Sequence, residues 1–443
     1  MRKNVLFALA LLAVTASGQW LETTIQLPDS SWPNDLCYNP AENKVYSANW
    51  GTDTVSVIDG ATNTIIAAIP TAPEPSYICY NPVGNKIYCT HYNSGLVTVI
   101  DGAGDTVIAT VMAGPYASSI CCNPTDNKVY CPASGTDTVF VIDGAGDTLV
   151  AAVGTGDMPK LVCYNPGDNK VYCSNVGSQD VTVIDGAADT VIASVHIGSA
   201  PGAMVYGAGA GLVYVAVTGG DSVAAIDGRG DTVFARIAAG DVPRALCYNP
   251  GTNRVFCANS GTDDVAVIDC ATNSVIATVP AGDAPFAVLS NDVNDKVYCS
   301  NSRSNEVVVL DAATATEVAR IACGDYACIM AHNPVQNRVY VLNIDDNSIS
   351  VIRDSVHSWV AEEPGSASEL TPLPTVIRGV LNLTSLFSVL TSDFVLLDAS
   401  GRRVLDLTPG PNDVRHLSPG VYFVHSSLGT RHSTLVTRVL LVR

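Results

Sequence analysis

Short apolar runs of five or six residues, each closed by a polar turn, follow one another from about residue 33 to residue 354. No stretch of helical period interrupts them. Within residues 75–111 the pattern predicts a first strand at Ser76–Tyr80 and a turn at Asn81-Pro82-Val83-Gly84-Asn85. A second strand at Lys86–Thr90 and a third at Leu96–Ile100 come next. The turn Asp101-Gly102-Ala103-Gly104-Asp105 then leads into a fourth strand at Thr106–Val111. Proline fixes φ where the first turn begins, and Asp-Gly supplies side-chain hydrogen bonds and tolerance of φ > 0 at the second.

The unit repeats every 42 residues. Asn39-Pro40-Ala41-Glu42-Asn43-Lys44-Val45-Tyr46 returns at 81–88, 123–130 and 165–172, degraded at 207–214, then at 249–256, 291–298 and 333–340. The aspartate of Val57-Ile58-Asp59-Gly60 keeps the same step through Asp311, and Arg353 takes its place in the eighth copy. A period near 42 with four short strands is the signature of a propeller blade, which buries both faces only by stacking on its neighbours. The fold class is therefore all-β, an eight-bladed β-propeller. Leu21–Leu27 carries the fourth-strand pattern ahead of the first copy, and the eighth copy ends after its third strand at Ile349–Ile352. The N-terminal strand is thus expected to complete the last blade. Seven blades is the alternative, if the degenerate copy around Gly207 is squeezed out.

The tetrapeptides Tyr46-Ser47-Ala48-Asn49, Tyr172-Cys173-Ser174-Asn175, Tyr298-Cys299-Ser300-Asn301 and Tyr340-Val341-Leu342-Asn343 resemble the repeat that names the YVTN family of β-propellers. The Val-Ile-Asp and Thr-Val-Ile-Ala-Thr-Val elements around them fit the same family. The resemblance spans residues 21 to about 354 and implies a YncE-like or surface-layer-like propeller. Such a fold hosts many activities, so function has to be argued from a site.

Composition changes the picture at the ends of the chain. Arg2 and Lys3 precede an apolar run, Val5–Val14, and the small residues Ala16-Ser17-Gly18, the arrangement of a signal peptide over residues 1–18. The run is shorter than the ~20 residues that span a bilayer. Residues 19–361 hold 14 basic and 35 acidic side chains, a balance of −21, whereas the last 82 residues carry seven of each sign. That acidity disfavours nucleic acid and anionic membranes. The expected location is secreted or at the cell surface, and the expected state a monomer.

After the propeller (residues 19–356) and a linker (357–371), residues 372–443 predict a small C-terminal β-sandwich. Its strands are placed at Thr375–Leu381, Phe394–Asp398, Arg403–Leu407, Gly420–Val424 and Thr434–Val442. Asp398-Ala399-Ser400-Gly401-Arg402-Arg403-Val404, Leu417-Ser418-Pro419-Gly420-Val421-Tyr422-Phe423-Val424 and the basic end 438–443 resemble a type IX secretion sorting domain. That resemblance implies delivery by a secretion machinery. Leu373-Pro374-Thr375 stands where such domains usually open on Asn-Pro.

Fourteen cysteines follow the repeat. Four blades carry a C-x9-C pair across the Asn-Pro turn: Cys79/Cys89, Cys121/Cys131, Cys163/Cys173 and Cys247/Cys257. Cys323 and Cys328 form a fifth candidate pair. Export favours disulfides, but the aligned slots elsewhere hold Val205/Val215 and Ala331/Val341, so buried free thiols fit the pattern equally well.

No Ser/His/Asp constellation, metal-ligand spacing or cofactor loop stands out. Gly207-Ala208-Gly209-Ala210-Gly211 replaces an Asn-Pro turn and has no helix after it, and Arg229-Gly230-Asp231 occupies an ordinary turn position. No catalytic residue, metal or cofactor is expected. The columns that vary between copies lie near the strand ends facing one side of the ring. They yield Lys160, Arg244, His91, Trp50, Tyr92 and Phe286 as candidate contacts for a protein, glycan or small-molecule ligand. The favoured function is a non-catalytic exported binding scaffold. The alternatives are a lyase or lactonase acting at the channel and, less favoured, a binder of single-stranded nucleic acid.

Overall fold

The computed structural model describes residues 18–354 and, beyond them, the strand segments 376–377, 380–382, 394–398, 403–407, 411–413, 420–427 and 434–441. The proposed signal peptide (save its last residue, Gly18) and the linker lie outside the described residues. Two compact units result, one on each side of residue 356.

The first unit is an eight-bladed propeller of four-stranded antiparallel sheets. Blade 1 is built from strands Pro33–Asn39, Lys44–Asn49, Thr54–Asp59 and Thr64–Pro70. Blades 2 to 7 follow at 75–112, 121–154, 159–196, 201–238, 243–280 and 285–322. Blade 8 takes Ala327–Asn333, Arg338–Asn343 and Ser348–Asp354, and its fourth strand is Gln19–Gln26 from the N-terminus. The register runs from Gln19 opposite Asp354 to Gln26 opposite Ser348. The degenerate copy at Gly207 forms a complete blade, so the count is eight and not seven.

First strands of adjacent blades approach one another and are the inner ones. Fourth strands are exposed along most of their length and form the rim. Second and third strands are nearly all buried, because their two faces pack against the blades on either side. That is the reason both read as continuous apolar runs.

Blades are joined by a repeated polar clasp. Tyr88 Oη donates to Asp147 Oδ1 of the next blade at 2.7 Å, and Lys86 Nζ binds Asp147 Oδ2 at 2.7 Å. The same pair of contacts links Tyr46 and Lys44 to Asp105, Tyr130 and Lys128 to Asp189, and Tyr172 and Lys170 to Asp231. At the ring's seam Arg338 takes over, donating from Nε to Glu22 Oε2 at 2.6 Å and from Nη1 to the Gly60 carbonyl at 2.7 Å. The Asp-Gly turns serve as caps, as when Gly104 N–H donates to Asp101 Oδ2 at 2.8 Å.

The register excludes the four C-x9-C disulfides. The turn between first and second strands has four residues, so facing positions differ by an odd number. Cys79 faces Tyr88, Cys121 faces Tyr130, Cys163 faces Tyr172 and Cys247 faces Phe256. Cysteines ten apart therefore point to opposite sides of the sheet. All fourteen thiols are free in the structure, Cys323 and Cys328 among them.

The second unit contains a five-stranded sheet and a two-stranded ladder. In the sheet, Val376–Ile377 pairs parallel with Thr434–Leu441, which continues to Gly420–Ser427, Phe394–Asp398 and Arg403–Leu407. Val380–Asn382 and Pro411–Asp413 form the ladder. The strand expected at Thr375–Leu381 is thus two short strands in different sheets.

Candidate functional site

One face of the ring carries the loops between second and third strands and those between blades. Both loop types place unusual residues there. The connection entering each blade puts a non-glycine residue at positive φ: Trp32 (41°), Glu74 (61°), Tyr116 (60°), Met158 (56°), Ala200 (54°), Val242 (54°), Ala284 (53°) and Tyr326 (60°). For β-branched or bulky residues this conformation is costly and persists only where neighbours enforce it. The enforcers repeat too. The N–H of Met158, Val242, Ala284 and Tyr326 donates to Asp137, Asp221, Asp263 and Asn305 respectively, and Trp32 N–H donates to Asn347. The strained turn holds large side chains out in water: Trp32 is 58% exposed, Met158 56% and Tyr116 45%.

The first strand of seven blades has a register shift just inside that turn, and the variable-column residue there is unpaired, alone in blades 1, 4, 6 and 7 and together with the next residue in blades 2, 5 and 8. In blade 4 the register jumps from Pro159 to Leu161 around Lys160, in blade 6 from Pro243 to Ala245 around Arg244, and in blade 7 from Pro285 to Ala287 around Phe286. Bulges re-aim a side chain and recur beside binding sites. The column's members adjoin one another around the ring, for Asn34 Nδ2 donates to the Ser76 carbonyl and Ser118 Oγ to the Lys160 carbonyl.

These devices converge between blades 6 and 8. Arg244, Phe286, Arg303, Tyr326, Ser260 and Ser302, with Ala284 and Pro285, line a cavity of about 240 Å³. The Arg244 guanidinium lies 3.8 Å above the Phe286 ring, and Tyr326 meets that ring edge-on at 5.9 Å. Among the described residues, no carboxylate lies within ion-pair distance of Arg244, Arg303 or Lys160. Of the eleven other cations of this acidic propeller, Lys44, Lys86, Lys128, Lys170 and Arg338 are spent on clasps between blades. Across the ring, Trp50, Tyr92 and Tyr116 form an aromatic arc with centroid separations of 6.0 and 5.4 Å.

Asp35, in the inner strand of blade 1, accepts N–H bonds from Ile78 of blade 2 and from Leu36, each at 2.9 Å. Burial pushes its carboxyl up to about 7 against those two bonds. The Tyr77 phenol is raised by burial and by Asp35.

Of the sequence candidates, the structure brings Arg244 together with Phe286 and Trp50 with Tyr92, and it leaves Lys160 exposed on its own bulge. His91 is a correction. It is fully buried inside blade 2, with Nδ1 on the Pro73 carbonyl at 3.0 Å and Nε2 on Thr98 Oγ1 at 2.8 Å. It fills the slot from which Asn49 and Asn175 bind their third strands, so its work is structural. Tyr326, Arg303, Trp32, Tyr116 and Asp35 escaped the sequence reading. For Trp32, Tyr116 and Tyr326 the signal in the sequence was a variable column just ahead of each first strand, whereas Arg303 and Asp35 lie outside that column.

The opposite face has a broader depression of about 640 Å³ lined by Gly167, Asp168, Tyr206, Gly209, Asp227 and Arg229. It opens where Gly207-Ala208-Gly209-Ala210-Gly211 replaces the Asn-Pro turn.

The four-stranded blades and the 42-residue step have counterparts among known propellers. Residues 31–233 match the family model of the YNCE-like beta-propellers. Among solved structures, the hydrazine synthase of Kuenenia stuttgartiensis is similar at 19% identity and a TM-score of 0.55. The match covers 76% of this chain and 99% of that one. At this identity the likeness is one of fold. No curated protein matches the chain.

Proposed function

We propose that the chain is an exported, non-catalytic binding propeller that captures a ring-bearing carboxylate on its loop face. The observation that carries this reading is Arg244, stacked on Phe286 and left without a carboxylate partner in a strongly acidic molecule. A guanidinium over an aromatic ring keeps its donors free for a bidentate contact with a carboxylate. Tyr326 and Phe286 offer flat apolar surface beside it, and Arg303 a second cation. Export and delivery by the C-terminal unit rest on the sequence pattern alone.

The test is a binding screen of the full chain against uronate-containing oligosaccharides and aromatic carboxylates, each beside its neutral analogue. Product formation is followed in the same wells. Selective retention of acidic members without turnover supports the reading. Preference for neutral members contradicts the ligand class, and turnover contradicts the binding role. Retention of uronates or of aromatic acids tells which source supplies the carboxylate.

A further inference from the structure

Cysteines facing across strands do not pair, but two facing across blades come together. Cys79 lies in the inner strand Pro75–Asn81 of blade 2, and Cys122 in the inner strand Cys121–Asn123 of blade 3. Their Sγ atoms are 3.1 Å apart, within about 1 Å of the ~2.05 Å bonded separation. Both sulfurs are half-buried and pack on the core between the two blades.

Two independent features mark the pair. Cys122 stands in a column that reads Tyr38, Tyr80, Tyr164, Tyr206 and Tyr248 in five other blades and Ser290 and His332 in the last two, so the sulfur beside Cys79 departs from the commonest residue of the repeat. It also sits in the weakest inner strand. That strand has three residues where the other blades have seven. Pro132, which has no N–H, stands in the neighbouring strand where Ser174 and Ala258 stand in blades 4 and 6. Beyond Cys121 the ladder shrinks to one bridge, Ala117–Ala133.

We infer that Cys79 and Cys122 form an inter-blade disulfide that staples the short inner strand of blade 3 to blade 2. A small disulfide such as oxidised glutathione is the oxidant. One cysteine sulfur attacks it, breaking its S–S bond and releasing one thiol, and the second cysteine displaces the other thiol. One S–S bond is broken and one formed. The two protons and two electrons leave with the two oxidant thiols. Hydrogen bonding to Cys122 and burial hold the Cys79 thiol well above its usual range, which makes the exchange faster as pH rises. The inference stands apart from the proposed ligand, since neither cysteine lines the cavity.

The experiment treats the purified full chain with oxidised glutathione, alkylates remaining thiols in denaturant and maps the digest by mass spectrometry. The expected product is one peptide pair joined through Cys79 and Cys122, released by dithiothreitol. Amide exchange over residues 117–123 is expected to slow at least tenfold in the oxidised form. In Cys122→Tyr, which restores the residue of the column, Cys79 is recovered alkylated. Recovery of both cysteines as alkylated thiols or as separate glutathione adducts overturns the inference, as does a bond from Cys79 to Cys37 or Cys121. An unchanged exchange rate with the bond in place overturns the stapling role.

Discussion

In blades 1 to 4 a tyrosine and a lysine two residues apart in the second strand join the blade to the next through a single aspartate. Replacing Asp147 with alanine strands the Lys86 ammonium and the buried Tyr88 hydroxyl together. The expected cost is about 2–4 kcal/mol, read as a fall in denaturation midpoint, whereas Tyr88→Phe costs about 1 kcal/mol. Equal effects would show that the aspartate serves Tyr88 alone. Asp35 gives the opposite lesson, because its carboxyl is enclosed without a cation. The folded state binds its proton more tightly than the unfolded chain, so the group's contribution is full below about pH 4. That contribution is lost as pH rises towards 7. Asp35→Asn keeps an acceptor oxygen and removes the charge. Its melting temperature should exceed that of the wild type at pH 8 and converge with it below pH 4. A constant difference across that range would place the effect elsewhere. The clasp was visible in the sequence only through its tyrosine column, because its acceptor column mixes Asp105, Asp147, Asp189 and Asp231 with Asn63, Asn273 and Ala315. Asp35 was not, since one odd residue in a strand announces no environment.

The strand that closes the ring was legible at the level of the element. Leu21–Leu27 has a fourth-strand pattern and no other blade to complete, and the structure puts Gln19–Gln26 in that place. Arg338 ties it down through Glu22 while its side chain is 6% exposed. Glu22→Ala leaves a buried guanidinium with only carbonyl partners. It should destabilise the ring by about 3 kcal/mol and speed amide exchange in residues 19–26 before other strands. Exchange rising first in blades 2 to 4 would contradict this order of opening. The cysteine register was illegible for a geometric reason. Whether a turn holds four or five residues decides if positions ten apart share a face, and composition does not fix that number. The entry turns were hidden too. A residue before proline, such as Met158 or Val242, reads as extended, and the structure holds it left-handed.

At the scale of the whole molecule, seven of eight inner strands present a bulged variable residue to one face. The clasps that make the frame rigid take up four of its lysines and Arg338. The repeat explained nearly every conspicuous residue, and the residues left over at the face acquire meaning only through neighbours distant in the chain. Arg244, Phe286, Arg303 and Tyr326 meet in one cavity without any linear motif. The decisive measurement is the calorimetric affinity of the best acidic ligand for Arg244→Ala and for Arg229→Ala, a cation on the opposite face. Arg244→Ala should lose about ten- to a hundredfold in affinity, equivalent to about 1.4–2.8 kcal/mol, and Arg229→Ala less than twofold. Unchanged affinity in Arg244→Ala, or an equal loss in both, would contradict the proposed carboxylate site.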